Sequence, residues 1–89
     1  MVKIASWEVY MIRTRSGRLY TGITNDLDRR FSEHLTGKKG ASFFHFSTPE
    51  KIEFRETHSN RSEASKRECE IKKMNREQKL ELLKRYLKN

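Results

Sequence analysis

The run Trp7-Glu-Val-Tyr-Met-Ile-Arg13 carries apolar or aromatic groups on both of its alternating faces. Successive side chains of a strand point to opposite sides, so Trp7, Val9 and Met11 share one face, and Tyr10 and Ile12 share the other. A strand with two faces to bury belongs in the middle of a sheet that is covered on both sides. Arg15-Ser16-Gly17 supplies turn chemistry, and Arg18 to Gly22 returns as a second strand, giving a hairpin. The antiparallel return is expected to bring Tyr10 and Tyr20 close together in space.

The remaining elements follow by the same reading. Thr24, Asn25 and Asp26 offer helix caps before Leu27. Leu27, Phe31 and Leu35 then fall one turn apart and form an expected core stripe, with Arg30 and His34, also one turn apart, beside it. Gly37 to Gly40, with Lys38 and Lys39, ends this helix. The stretch 41–49 contains Phe43, Phe44, His45 and Phe46 without a clear period, and reads as a loop or a short helical turn. From Lys51 to Thr57, Ile52 and Phe54 are expected to face one way and the charged residues the other, as a third strand with one face exposed. Asn60-Arg-Ser-Glu63 reads as a capping box opening a helix through Ala64, Ile71 and Met74. Asn75-Arg-Glu-Gln78 reads as a second box. It opens a last helix whose apolar face is Leu80, Leu83 and Leu87, widened by Leu82 and Tyr86. The order β-β-α-β-α-α predicts an α+β fold, a small three-stranded antiparallel sheet flanked by helices, in a single domain over residues 1–89.

Charge narrows the function. The chain has 89 residues and a formal net charge of +8, with 36% charged and 34% hydrophobic residues. A chain of this length buries only a modest core. The basic residues are spread along it rather than gathered in a tail, so they cover a folded surface, and such a surface attracts polyanions, nucleic acid first among them. Cys69, the single cysteine, excludes an internal disulfide and a metal-finger spacing. It reads as a small, semi-buried filler compatible with a reducing compartment. No stretch approaches a membrane span and no signal-peptide pattern opens the chain, so the expectation is a soluble intracellular protein of the cytoplasm, with a monomer as the default.

Tyr10, Tyr20, Arg30 and His34 bring phenol, guanidinium and imidazole together in a basic chain, a set suited to cleaving phosphodiesters. Hydrolysis needs an activated water, a neutralised phosphate and a stabilised leaving oxygen. Arg30 offers a planar fork to phosphate oxygens that a lysine does not match. Tyrosine, with an ordinary pKa of about 10, needs nearby cationic charge to act as a base near neutrality. The plainer alternatives are core aromatics with wet hydroxyls, a surface arginine and a structural histidine. His34 has Arg30 one turn away, whereas His45 and His58 lack such company and read as surface residues. The Gly37-Lys38-Lys39-Gly40 loop is too short for a nucleotide P-loop and suits at most a backbone contact to nucleic-acid phosphate.

These residues carry a resemblance to the GIY-YIG nuclease domain. Glu8-Val9-Tyr10 keeps the tyrosine of the first motif, and Tyr20-Thr21-Gly22 keeps the tyrosine and glycine of the second. The segment Asp26 to His34 resembles the family's following helix, with its functional arginine and a histidine one turn later. Ala64 to Lys73 resembles its metal-binding segment. The resemblance runs from about Trp7 to Met74 and is nearest to small bacterial proteins that consist of this domain alone. It implies that one motif tyrosine activates water and the other orients it, with Tyr20 the favoured base. It also implies that Arg30 stabilises the phosphorane and that the Ala64-to-Glu68 spacing selects Glu68, rather than Glu70, as the one protein ligand of Mg²⁺ or Mn²⁺. Two departures are visible. Ile23-Thr24-Asn25 follows the second motif where certain relatives have a lysine, and Asn75, the nearest asparagine after Glu68, reads equally well as a helix cap. Phosphate contacts are therefore expected from Arg30 and from Lys38, Lys39 or Lys72. The expected function is a metal-dependent endonuclease hydrolysing DNA, single-stranded or branched forms included, in repair, recombination or DNA processing, with RNA as a further substrate class. The competing readings are a nucleic-acid-binding module with little or no cleavage and a basic protein-interaction domain.

Overall fold

The computed structural model describes residues 6–37, 42–45 and 47–88. Strands β1 (Trp7–Thr14), β2 (Leu19–Thr24) and β3 (Pro49–His58) form one antiparallel sheet in the order β2-β1-β3. Helix α1 (Leu27–Thr36) follows β2, a short 3₁₀ turn (Ser42–His45) precedes β3, and helices α2 (Arg61–Lys72) and α3 (Arg76–Lys88) complete the chain. The element order and the central place of β1 are as the sequence predicts. No helix among the described residues is long and apolar enough to cross a membrane.

The two faces of β1 seed two separate clusters. Val9 and Met11 pack with Phe54, Ala64, Ile71 and Leu83, which belong to β3, α2 and α3. Tyr10 and Ile12 pack on the other side with Leu27 of α1 and Phe44 of the 3₁₀ turn, flanked by Tyr20, Phe31, Phe43 and Ile52. Each face thus buries apolar area that supplies the main favourable term in folding.

Strand β3 departs from the expected simple alternation. Met11 pairs with Phe54 but Ile12 pairs with Ile52, so Glu53 is an extra residue in the ladder. A bulge of this kind reverses the facing of everything beyond it. Ile52 consequently joins the Tyr10 cluster while Phe54 joins the Val9 cluster, instead of both facing one way. The displaced Glu53 pairs with Arg13 and Lys51.

The caps are largely where the residue types place them. Asp26 accepts from the Arg29 N–H at the start of α1, and Asn60 accepts from Glu63 N–H at the start of α2. Asn75 and Gln78 form a reciprocal capping box at α3, each side chain bonding the other's backbone N–H at 2.9 Å. Gly37 closes α1 with φ +77°, and its N–H bonds the Glu33 carbonyl. Only glycine takes that left-handed conformation without strain.

Three expectations about packing are corrected. Leu35 does not complete the α1 stripe: it is 51% exposed, and His34 is buried instead. At 100° per residue, position 34 returns to within about 20° of Leu27, whereas position 35 swings about 80° away. Leu87, expected on the apolar face of α3, is 72% exposed, while the preceding Tyr86 packs its ring on Phe54 of β3 at 5.1 Å. Cys69 is exposed rather than semi-buried.

Candidate active site

Strand register builds the centre of the site. Tyr10 pairs with Gly22, and Tyr20 pairs with Ile12, so the two tyrosines are diagonal neighbours on one face, with ring centroids 6.2 Å apart. Gly22 is where the Tyr10 ring crosses β2. A Cβ built there would lie 2.6 Å from the Tyr10 hydroxyl oxygen and 2.7 Å from Cζ. The glycine of the second motif is therefore a packing requirement of the tyrosine of the first.

Helix α1 adds the polar partners. His34 points onto the same face and places Nε2 3.0 Å from the Tyr10 hydroxyl. Its ring stands edge-on to Tyr20 at 5.4 Å and packs on Phe44 at 4.4 Å. Arg30, one turn earlier, bonds Glu33 at 3.0 Å and also hydrogen-bonds Tyr10. The Tyr20 hydroxyl lies on the same side and acts on Tyr10 electrostatically.

A guanidinium only donates, so the Tyr10 oxygen accepts from Arg30. The Tyr10 hydroxyl and Nε2 of His34 share one hydrogen bond, whose donor follows from the imidazole tautomer. Burial, more than anything else, pushes the Tyr10 pKa far above its ordinary value of 10, and the proximity of Tyr20 adds to this against the opposing pull of Arg30. Burial, followed by the Arg30 charge, lowers His34 from 6.5 to about 4. The imidazole is therefore neutral near pH 7. Arg30 is held charged: burial works against it, but Glu33 and Tyr10 more than offset that effect.

The cluster is closed on its inner side and open at one rim. Tyr10 and His34 are 1% and 2% exposed, and Phe44 is buried, while Tyr20, Arg30 and Phe43 are half-buried. Tyr20 contacts Phe43 at 5.3 Å and Phe44 at 4.8 Å. Phe44 is thus a wall of the site rather than a stacking surface. Concave regions of about 550 Å³ and 300 Å³ lie elsewhere, the first along α2 (Arg61, Ser65, Cys69) and the second between α2 and α3 (Met74, Leu82). Neither holds the tyrosines, and chemistry points to the cluster rather than to these depressions.

Of the expected site residues, the structure brings Tyr10, Tyr20, Arg30 and His34 together. Glu68 stands on α2, in line with Ala64 and Ile71, which are buried against the Val9–Met11 face. Its side chain, 18% exposed, pairs with Lys72 Nζ at 3.1 Å. Glu70 points to the outer side and pairs with Arg67 at 3.6 Å. Lys38 and Lys39 lie outside the described residues, as do Phe46 and the side chain of His45. His58, expected to be an isolated surface residue, is half-buried and bonds Glu56 at 2.7 Å, a carboxylate shared with Arg67. The expectation missed this because Glu56 and Arg67 are brought to His58 by β3 and α2 only on folding. Glu33 was also missed as a partner of Arg30, although its position three residues on was a usable signal.

No grouping of three or more metal-ligating side chains occurs among the described residues. The donor set still fits a hard cation that keeps most of its waters, since Mg²⁺ is commonly held by one carboxylate together with substrate phosphate oxygens. Glu68, partly shielded and already facing a cation, is the carboxylate that fits.

Comparison with known proteins gives the family. The family model described as the GIY-YIG catalytic domain matches residues 6–81. A UPF0213 protein of Desulfotalea psychrophila is 43% identical over 89% of this chain and 72% of its own length. One from Staphylococcus epidermidis is 40% identical over 84% of this chain and 90% of its own. The solution NMR structure of a UPF0213 protein from Bacillus halodurans superposes with a TM-score of 0.55 at 28% identity, covering 89% of this chain and 83% of that one. With its paired tyrosine strands and arginine–histidine helix, the chain belongs to the GIY-YIG nuclease family.

Proposed function

We propose that the protein is an endonuclease that hydrolyses phosphodiester bonds in DNA with the help of Mg²⁺ or Mn²⁺. The observation that carries this reading is the cluster of Tyr20, Tyr10 and His34 on one face of the sheet, with the Tyr10 hydroxyl 3.0 Å from His34 Nε2 and Arg30 against it. A structural tyrosine pair does not require a buried neutral imidazole at its inner end.

The rim of the cluster is where a phosphate fits. Arg30 binds its non-bridging oxygens in place of Glu33 and stabilises the charge of the phosphorane. Tyr20, half-exposed at the same rim, meets the attacking water. As the water oxygen bonds to phosphorus, its proton passes to the Tyr20 oxygen, the Tyr20 proton to Tyr10, and the Tyr10 proton to His34 Nε2. A phosphate on Arg30 offsets one of the two causes that hold His34 low, so the terminal acceptor becomes more basic when substrate is present. The leaving sugar oxygen departs as the phosphorus–oxygen bond breaks and takes its proton from solvent water.

Glu68 is the residue that would hold the metal. When bound, a divalent cation supplies Lewis acidity toward phosphate oxygens and lowers the pKa of water. Strand β2 is an edge of the sheet. Helix α2, which carries Glu68, packs against β2, the strand that carries Tyr20. Repair, recombination or processing of DNA is the setting that fits a nuclease of this kind.

The test is cleavage of end-labelled single-stranded, duplex and branched DNA with Mg²⁺, Mn²⁺ or EDTA, beside folded Glu68→Ala protein. Metal-dependent products absent from the variant support the reading. Products that persist equally in the variant remove Glu68 from the metal site. Salt-sensitive binding with no product from any DNA overturns the assignment as a DNA endonuclease.

A further inference from the structure

We propose that the turn joining β1 to β2 is a docking surface for the nucleic-acid backbone, with Arg15, Arg18 and Arg76 as its phosphate contacts; the proposal rests on the nuclease reading above. Four of the arginines among the described residues are neutralised by carboxylates. Arg13 pairs with Glu53, Arg30 with Glu33, Arg55 with both oxygens of Glu8, and Arg67 with Glu56. Among the described residues, no carboxylate pairs with Arg15, Arg18 or Arg76, yet all three converge on one turn.

The convergence is built rather than incidental. Arg76, the first residue of α3, donates from Nη2 to the Gly17 carbonyl at 3.1 Å, across 59 positions of sequence. The Arg18 N–H bonds Thr14 Oγ1 at 3.1 Å, and Gly17 N–H bonds the Thr14 carbonyl at 2.9 Å. Thr14 Oγ1, Ser16 Oγ and the buried Ser47 Oγ continue as a hydroxyl chain with links of 3.1 Å and 2.6 Å, anchoring the turn to the segment before β3. Three like charges gathered on a pinned turn repel one another, and a polyanion removes that cost.

The turn also leads to the active site. The Arg18 guanidinium lies over the Phe43 ring at 5.0 Å, and Phe43 packs on Tyr20 at 5.3 Å. The cations therefore continue directly from the rim where Tyr20 is exposed. A nucleic acid with one phosphodiester at Tyr20 presents its neighbouring phosphates to these side chains, and guanidinium forks match phosphate oxygens. An acidic protein matches the charge but has no reason to lie beside the tyrosine rim.

The experiment is a salt titration of binding, followed by fluorescence anisotropy of a short labelled oligonucleotide in EDTA so that no cleavage intervenes. Wild type is compared with Arg15→Gln/Arg76→Gln, with Arg18→Gln, and with a control, Lys84→Gln/Arg85→Gln, further along α3. Each turn arginine removed is expected to reduce the slope of log K against log salt by about 1 and to weaken binding about tenfold at 0.1 M salt. The control is expected to change the slope less. Turn variants with the wild-type slope, or a control with an equal loss, overturn the proposal. Binding of polyglutamate as tight as that of DNA assigns the turn to acidic protein and also overturns it. Wild-type cleavage in Mg²⁺ is scored separately: cleavage with turn-independent binding defeats this proposal alone, and turn-dependent binding without cleavage defeats the nuclease reading alone.

Discussion

The Tyr10 hydroxyl and Nε2 of His34 lie 3.0 Å apart, joining positions 24 residues apart in the chain. Both groups are nearly sealed from water. Either group can donate in this bond, according to the imidazole tautomer. Burial, and then the Arg30 charge, make this a site for an imidazole that is neutral in the folded chain.

This condition makes folding sensitive to mild acid. Burial and then Arg30 lower the His34 pKa from 6.5 to about 4. Between those values the unfolded chain binds a proton that the folded chain does not, so the His34 contribution is full above pH 6.5 and is lost as pH falls toward 4. The loss is expected to reach about 3 kcal/mol, since each tenfold difference in proton affinity between the two states is worth about 1.4 kcal/mol. Urea unfolding across this range measures it. His34→Gln protein is expected to be less stable at neutral pH and flatter between the two limits. A wild-type profile as flat as the variant's rules the coupling out.

Gly22 is expected to resist any side chain. A methyl group there meets the Tyr10 hydroxyl at 2.6 Å and Tyr20 Cε2 at 3.0 Å. Gly22→Ala is expected to cost about 1–3 kcal/mol through overpacking. In a Tyr10→Ala background the same substitution is expected to cost markedly less, since most of the obstruction has gone. Chemical denaturation of the four proteins gives the coupling. Additive costs contradict the steric account.

Much of this architecture is legible along the chain, and the failures share a cause. The two faces of β1 can be read from Trp7 to Arg13 because alternation needs no knowledge of partners. Asp26, Asn60 and Asn75 can be read as caps because capping is local. The bulge at Glu53 is not legible, since it is set by the pairing of β3 with β1, and it misplaces Ile52. The burial of His34 rather than Leu35 follows from helix phase, but a polar residue outranks a leucine only when a buried hydroxyl waits for it. Tyr10, Tyr20, Arg30 and His34 were visible as a set, whereas their protonation was not, because it depends on how deeply each lies. Glu68 was singled out by resemblance, and its pairing with Lys72 emerges from the helix geometry.

Both tyrosines are expected to be needed for cleavage, but Tyr10 more than Tyr20 for stability. Tyr10→Phe leaves Nε2 of buried His34 without its hydrogen-bond partner, a loss expected to cost about 1–3 kcal/mol of stability, and it interrupts the proton path from Tyr20. Tyr20→Phe removes the hydroxyl at the open rim and is expected to lower kcat by about 10²–10⁴-fold, with a smaller change in stability. Unfolding curves and single-turnover cleavage on the same preparations test the split. A Tyr20→Phe enzyme with wild-type kcat takes Tyr20 out of the water-activating role.

Lys72 is expected to compete with the metal rather than assist binding of nucleic acid. Its ammonium holds the Glu68 carboxylate at 3.1 Å, and the lysine side chain is mostly exposed, so the pair is worth only about 0.2–1 kcal/mol. A divalent cation must displace that contact to reach the carboxylate. Lys72→Gln is therefore expected to lower the half-saturating Mg²⁺ or Mn²⁺ concentration by about 1.4- to 5-fold, the equivalent of that energy. The effect is expected to vanish in Glu68→Gln protein. Metal titrations of cleavage, with Mn²⁺ binding measured directly as a second readout, decide the matter. A higher metal requirement in Lys72→Gln, accompanied by a weaker salt dependence of DNA binding, returns Lys72 to the phosphate contact expected from the sequence and removes it from the metal competition.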